Sequence, residues 1–353
     1  MSRAIRNFSL FLAALLATLG LVNYLIDPTN AFHPDFERSM AAAQAAGETV
    51  YYKTNYDERL FQELYIQQVD PTPETVVLGS SRAMLLSRDI TGYDSFYNHS
   101  VSGAALEDYI ALLGFYMEKG QLPQRVILEL SPWNFNDANT EARWQAYASM
   151  YEKSYAVMQG SVAGRSGPDL SWTDLFSVAL FQDSLTTLRT NGLAALEKAQ
   201  PCTSLPDDTY YTRYGDGSIR YGSEYREQPD EQILQTIRDS IGGVIYGSLV
   251  GLDQVGDSKK AQFETLAAWL QDQGIEVIVY LSPLPPTIYD YCVTDAYPAL
   301  AQVEAYLRDQ ADVYGYTVRG SYDPSPMGLT DTDFYDCLHA KIESTGRIWN
   351  YTA

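Results

Sequence analysis

Histidine is scarce in this 353-residue chain: only His33, His99 and His339 occur. A base that works near neutral pH is most often histidine, so few positions can supply one. Cysteine is equally sparse. Cys202, Cys292 and Cys337 lie far apart and show neither a Cys-x-x-Cys pair nor a Cys/His ligand spacing, which argues against a structural zinc site. Outside the cytoplasm one disulfide with one cysteine left over is expected, with Cys202 to Cys292 as the pair; three buried thiols is the equal alternative. Basic residues are also in deficit, 24 Lys+Arg against 45 Asp+Glu, for a formal charge of -21. Nucleic-acid binding needs a basic face, and the charge balance argues against that class of partner. No metal or organic cofactor is indicated.

What is present is apolar and aromatic: 46% hydrophobic and 13% aromatic residues, ample for a packed core in one large domain or two modest ones. Arg3 and Arg6 precede an uncharged run from Phe8 to Ile26. About nineteen such residues, at about 1.5 Å rise each, approach the hydrocarbon thickness of a bilayer. The arginines put residues 1–7 in the cytoplasm and everything after the run outside. A cleaved signal peptide is the competing reading; the run continues through Leu21 to Ile26 with Tyr24 suited to the interface, which favours a retained anchor over 8–26. Residues 27–73, with an Ala-rich helical segment at Met40 to Ala46, read as a juxtamembrane lead-in, and a domain spans 74–353.

In that domain strand and helix signals alternate. Thr75-Val76-Val77-Leu78 reads as a strand buried on both faces, followed by the tight turn Gly79-Ser80-Ser81. Ser95 to Asn98 is a second strand, Leu106 to Lys119 a helix, and Arg125 to Leu130 a third strand. Helix Lys259 to Gln273 leads to a fourth strand, Ile275 to Leu281. Helix Pro298 to Tyr314, a weak strand at Tyr316 to Arg319 and a final helix complete the pattern of an α/β fold with a mainly parallel sheet. The third and fourth strands both end in Leu-Ser-Pro, at Leu130-Ser131-Pro132 and Leu281-Ser282-Pro283. Residues 136–258 break the alternation with helical stretches and loops such as Tyr210 to Gly217, and read as an insertion capping one side of the site. Its clustered tyrosines fit either a carbohydrate-facing surface or the packing of an irregular cap.

Open α/β sheets place their chemistry at the C-terminal strand edge, where Ser81 falls. Asp336 precedes His339 by three residues, a spacing that lets the carboxylate hold Nδ1 and turn Nε2 outward, as a serine nucleophile requires. His33 reads as a surface residue, and His99, at the end of the second strand, remains a second candidate base.

Taken together these blocks resemble the SGNH (GDSL-like) hydrolases. The resemblance implies a three-layer α/β/α, flavodoxin-like domain with Ser81 of Gly79-Ser80-Ser81 as nucleophile and Asp336 and His339 as its partners. Within Asn98-His99-Ser100-Val101-Ser102-Gly103-Ala104 it implies an oxyanion N–H from Gly103, beside that of Ser81. The family's Gly-x-Asn-Asp block is absent; Ser131-Pro132-Trp133-Asn134 stands there, with Asn134 as the third oxyanion donor. Arg82 and Trp133 are the candidate substrate contacts, Arg82 having a structural pair with an acidic neighbour as its alternative. The anchor with Asn23-Tyr24 and Asp27-Pro28, Gly79-Ser80-Ser81-Arg82 and the Leu-Ser-Pro ends look most like a membrane-anchored branch whose members partner membrane-bound O-acyltransferases in teichoic acid D-alanylation and alginate O-acetylation. The function expected is an extracytoplasmic esterase or O-acyltransferase on acyl, above all acetyl, esters of an envelope or secreted polysaccharide. The alternative is an inactive binding or scaffold partner of a membrane O-acyltransferase.

Overall fold

A computed structural model describes residues 3–27, 35–53, 55–161, 175–192, 201–241, 243 and 248–352. Eight short strands occur among them: β1 (Val50–Tyr52), β2 (Thr75–Leu78), β3 (Phe96–Asn98), β4 (Arg125–Glu129), β5 (Tyr211–Arg213), β6 (Ile219–Arg220), β7 (Glu276–Leu281) and β8 (Thr317–Gly320). Five of them form one parallel sheet in the order β3-β2-β4-β7-β8. The chain steps from β2 outward to β3, then crosses back over β2 to lay down β4. That reversal is the topological switch point of the sheet, where a crevice opens at the carboxyl ends of the strands.

The strand residues alternate strictly between two cores. Val76, Leu78, Val126, Leu128, Val277, Val279 and Leu281 join the larger cluster, with Phe61, Leu112, Phe263 and Leu266 from the helices Glu58–Gln68, Leu106–Lys119 and Asp257–Asp272. Val77, Ile127, Ile278 and Tyr280 face a second cluster containing Leu86, Phe334, Ile348 and Trp349, the last two from helix Ile342–Asn350. Period-two alternation with both faces covered explains why these strands read as unbroken apolar runs. Each buried Val or Leu contributes about 1.5–3 kcal/mol, so the central strands are held by the side chains that made them visible in sequence.

Helix Leu106–Lys119 has the expected bounds; Asp108 accepts the Ala105 N–H at its start, and Gly120 ends it at φ 73°. Helix Asp257–Asp272 starts two residues before the expected Lys259, where the Asp137 carboxylate accepts the N–H groups of Ser258 and Lys259. The long helix expected over Pro298 to Tyr314 is two, Ala299–Asp309 and Ala311–Tyr314.

A second sheet was not foreseen. The Tyr210 to Gly217 stretch, expected as loop, supplies β5 and leads into β6, and β5 pairs antiparallel with β1 from the lead-in, Tyr52 facing Tyr211. The strands are too short to show a period. The N-terminal helix Arg3–Ile26 holds a run, Ile5–Ile26, with mean hydropathy 2.0 that is long and apolar enough to cross a membrane. The Cys202–Cys292 disulfide is not formed. All three cysteines are thiols: Cys202 bridges Tyr51 at the edge of the small sheet, while Cys292 is buried in the main core. Burial pushes the Cys292 thiol up to about 12 and that of Cys337 to about 11, which leaves both protonated and unreactive.

One polar network ties the strand ends together. Arg82, 5% exposed, donates to Ser131 Oγ (3.1 Å) and to the carbonyls of Ser282 and Pro283, so it bonds both Leu-Ser-Pro ends at once. Ser131 Oγ donates onward to Glu129 Oε1 (2.5 Å), and Glu129 Oε2 accepts the Ser80 N–H (2.8 Å). Burial lowers the Arg82 guanidinium from its ordinary range while the charge of Glu129 supports it. Removing one member leaves the other charge buried. We therefore expect Arg82→Ala to cost about 3 kcal/mol or more in urea unfolding, whereas a loss below about 1 kcal/mol, the ordinary surface value, would show that the clamp is not structural.

Candidate active site

Gly79 leaves β2 in a crowded place: a methyl there would lie 2.8 Å from Ala83 Cβ and 2.9 Å from both Glu129 Cβ and Ser100 Oγ. Only glycine lets the chain turn so close to β4. The Ser80 side chain then caps a 3₁₀ turn, Ser81–Ala83, by accepting the Arg82 N–H, and Ser81 opens that turn at the strand edge.

His339 Nε2 lies 2.8 Å from Ser81 Oγ, and its Nδ1 lies 2.8 Å from Asp336 Oδ2. The structure thus brings together three residues of which two are separated by 258 positions. Asp336 sits in a turn built around its own carboxylate, with Oδ1 accepting the N–H groups of Leu338 (2.7 Å) and His339 (2.8 Å). Burial would raise its pKa, but the charge of His339 and the hydrogen bonds from His339, Tyr225 and the Leu338 backbone outweigh it and hold the carboxyl well below its usual range. The sign follows. Stability carried by Asp336 is fully present above about pH 4, its unfolded value, and is lost as pH falls through the depressed folded value.

Tyr225 is the residue that sequence reading missed. It comes from the short helix Ser223–Arg226, and its hydroxyl donates to Asp336 Oδ2 at 2.6 Å. Burial and the adjacent Asp336 charge push the phenol far above its ordinary pKa, so it stays a neutral donor. The rings of Tyr221 and Tyr335 pack on it at 4.8 and 5.4 Å. Among 28 tyrosines nothing in spacing marks this one.

The oxyanion candidates adjoin Ser81. The Val101 N–H donates to Gly79 O (3.0 Å), which draws the Ser100 to Ala104 loop against the Ser81 turn; Gly103 has φ +58°. Among the described residues the N–H groups of Ser81 and Gly103 make no backbone hydrogen bond. Arg143, paired with Glu141, covers Gly103 so closely that a methyl there would strike the guanidinium. Asn134 is buried beside the same loop, but its amide is used locally: Nδ2 donates to Ala104 O (3.2 Å) and Oδ1 accepts the Ser131 N–H (2.7 Å). Arg82 and Trp133 stand away from the cleft that holds Ser81, stacked on each other at 5.2 Å, and the Arg82 guanidinium is consumed by the strand-end clamp. The Arg82 guanidinium, bonded to Ser131 Oγ and to the carbonyls of Ser282 and Pro283 with the Trp133 ring over it, serves the strand ends.

His99 is a core residue. It is fully buried between Gln62 Oε1 (2.7 Å) and Tyr116 OH (2.6 Å), and burial lowers its pKa to about 3, aided by the charge of Arg213. It is neutral and out of reach of Ser81. His33 lies outside the described residues.

Ser81 and His339 open into a cleft of about 720 Å³ lined by Tyr52, Tyr56, Tyr211, Tyr221 and Tyr225. The rings form a continuous row: Tyr56 to Tyr52 at 5.1 Å, Tyr52 to Tyr211 at 5.7 Å, Tyr211 to Tyr221 at 5.9 Å, then Tyr225. The small sheet carries two of them, Tyr52 on β1 and Tyr211 on β5. A larger cavity, about 1050 Å³, shares Ile219 and Tyr221 with the cleft but holds neither Ser81 nor His339. Among the described residues no cluster of His, Cys, Asp and Glu could hold a metal ion. No protein-family model and no curated protein matches the chain.

Tyr225→Phe tests the fourth member of the relay. Without the hydroxyl, Asp336 has one hydrogen bond fewer and binds the imidazolium proton more strongly. If Ser81 turns over an ester, kcat/KM is expected to fall roughly 10- to 150-fold, about 1.5–3 kcal/mol as for loss of one hydrogen bond to a charged group, with its acidic limb moved to higher pH. A uniform fall with no displaced limb would assign Tyr225 to packing alone.

Proposed function

We propose that this chain is a membrane-anchored, extracytoplasmic serine esterase or O-acyltransferase of the SGNH type, acting on acyl esters of a polysaccharide. One observation carries the reading: the Ser81–His339–Asp336 relay, with both contacts at 2.8 Å in a cleft open to solvent. The covered parallel sheet with the nucleophile at its switch point is consistent with an SGNH three-layer domain. The apolar run Phe8–Ile26, preceded in the same helix by Arg3 and Arg6, supports the anchor and its orientation.

In this mechanism Ser81 Oγ attacks the ester carbonyl as His339 Nε2 takes its proton, and Asp336 holds the ring in the tautomer that makes Nε2 the base. The backbone N–H groups of Ser81 and Gly103, joined by Asn134, bear the tetrahedral oxyanion; each such donor is worth about 3 kcal/mol. His339 then gives the proton to the departing alcohol, leaving an acyl-serine. Water or a sugar hydroxyl, deprotonated by His339, resolves it. The tyrosine row supports a carbohydrate partner, since flat rings with hydroxyl rims suit sugar faces. A membrane O-acyltransferase fits as donor of the acyl group.

The scaffold reading draws on one feature, the local engagement of the Asn134 amide, which leaves the third oxyanion donor weakest. The full chain in detergent, given p-nitrophenyl acetate beside Ser81→Ala, separates the two. Loss of Ser81 is expected to reduce turnover by about 10³-fold or more; equal turnover by both proteins removes Ser81 as nucleophile. Release to water alone indicates an esterase, and transfer to added acetyl-free oligosaccharide a transferase.

A further inference from the structure

Within the uncharged run Phe8–Ile26 of the anchor helix the one amide side chain is that of Asn23, which is fully buried near the helix end. Its side chain bonds to one distant segment. Asn23 Nδ2 donates to the carbonyls of Leu175 (2.9 Å) and Ser177 (3.1 Å), and Asn23 Oδ1 accepts from Ser184 Oγ (3.2 Å). That segment is the helix Val178–Asn191 and the turn before it. Deeper along the anchor, the Phe176 ring packs on Gly20, 3.2 Å from where a side chain would begin. A polar amide in a bilayer is costly unless bonded, so its bonding here fixes which segment accompanies the anchor at that level.

The accompanying helix carries an apolar stripe wider than the anchor covers. Val178, Phe181, Leu185 and Leu188 follow a three-four-three spacing that places them on one face. Phe181 and Leu188 are half-buried, whereas Val178 is 62% and Leu185 46% exposed, and Phe176 is 49% exposed. If residues 5–26 span the bilayer, what surrounds residues 20–23 is lipid, and the same lipid meets these side chains. Gly20 lies six residues before Ile26, so Phe176 sits roughly 9 Å below the end of the anchor at about 1.5 Å per residue. Ser184, bonded to Asn23, sits nearer the surface.

We propose that Phe176 and the Val178–Asn191 helix form a second membrane contact, dipping into the outer leaflet with Phe176 deepest and Leu185 shallower. This rests on the reading of the N-terminal helix as an anchor. Two contacts joined at Asn23 fix the orientation of the chain near the bilayer, where a single helix would leave it free to rotate. The partner is the lipid itself, and a neutral one, because a chain of charge -21 is repelled by an anionic surface.

The test uses the full chain carrying Cys202→Ser, so that the remaining thiols are the buried Cys292 and Cys337. Single cysteines introduced by Leu12→Cys, Phe176→Cys, Leu185→Cys and Asp272→Cys are labelled with a small fluorophore, and each protein is reconstituted in phosphatidylcholine vesicles. Spin-labelled lipid is expected to quench the label at position 12 and at 176 several-fold more than aqueous iodide does. Position 185 should be quenched by lipid less than 176, and 272 by iodide alone. If 176 and 185 behave like 272 while 12 is lipid-quenched, the second contact is wrong and the anchor stands. Shielding of 185 from both quenchers would mean that protein covers the stripe and would equally overturn the inference. Iodide quenching at 12 would remove the anchor reading, and this proposal with it.

Discussion

The geometry of the site depends on a buried charge network that touches no reacting atom. Arg82 follows Ser81 directly and spends its guanidinium on Ser131, Ser282 and Pro283, while Glu129 takes the Ser80 N–H and the Ser131 hydroxyl. Three strand ends, those of β2, β4 and β7, are thereby cross-linked at the crevice. The hydrogen-bonded ladders and two-sided packing fix the register of the strands, but the turns that leave their ends lie beyond the ladders and keep some freedom. Directional bonds from a planar, always-charged fork remove that freedom. Ser81 stands between two residues held in this way.

The strands that packing makes were the legible ones. β2, β4 and β7 are buried on both faces, and burial demands the β-branched runs that announce them. β1, β5 and β6 are two or three residues long, too short to show a period; β1 pairs with β5 across some 160 positions, while β5 and β6 form a local hairpin. At the site, the three-residue spacing of Asp336 and His339 is a local signal because the turn is local. Tyr225 reaches Asp336 across 111 residues and leaves none. Arg82 shows the limit of reading a charge by its neighbour in sequence: adjacency to Ser81 left both a substrate contact and a structural pair open, and the partners that it bonds lie about 50 and 200 positions away. For the cysteines, separation in sequence carried no information on pairing, and all three are free thiols.

The stretch between β4 and helix Asp257–Asp272 does more than cover the crevice. It contributes Tyr225 to the carboxylate, Tyr211 and Tyr221 to the cleft wall, Arg143 to the face of Gly103, and Phe176 and Ser184 to the N-terminal helix. Relay, cleft and N-terminal helix are thus linked through a single segment that the parallel sheet itself does not need. Variation confined to that segment could change what enters the cleft without disturbing the strands that hold Ser81.

Ser81 and His339 are 258 positions apart and meet through a single 2.8 Å contact. Synthesis proceeds from the first to the second. A chain halted anywhere between Ser81 and Asp336 holds the serine but neither the base nor the carboxylate that orients it. The relay is therefore also a clock of completion: its last components arrive only after every strand of both sheets has been made.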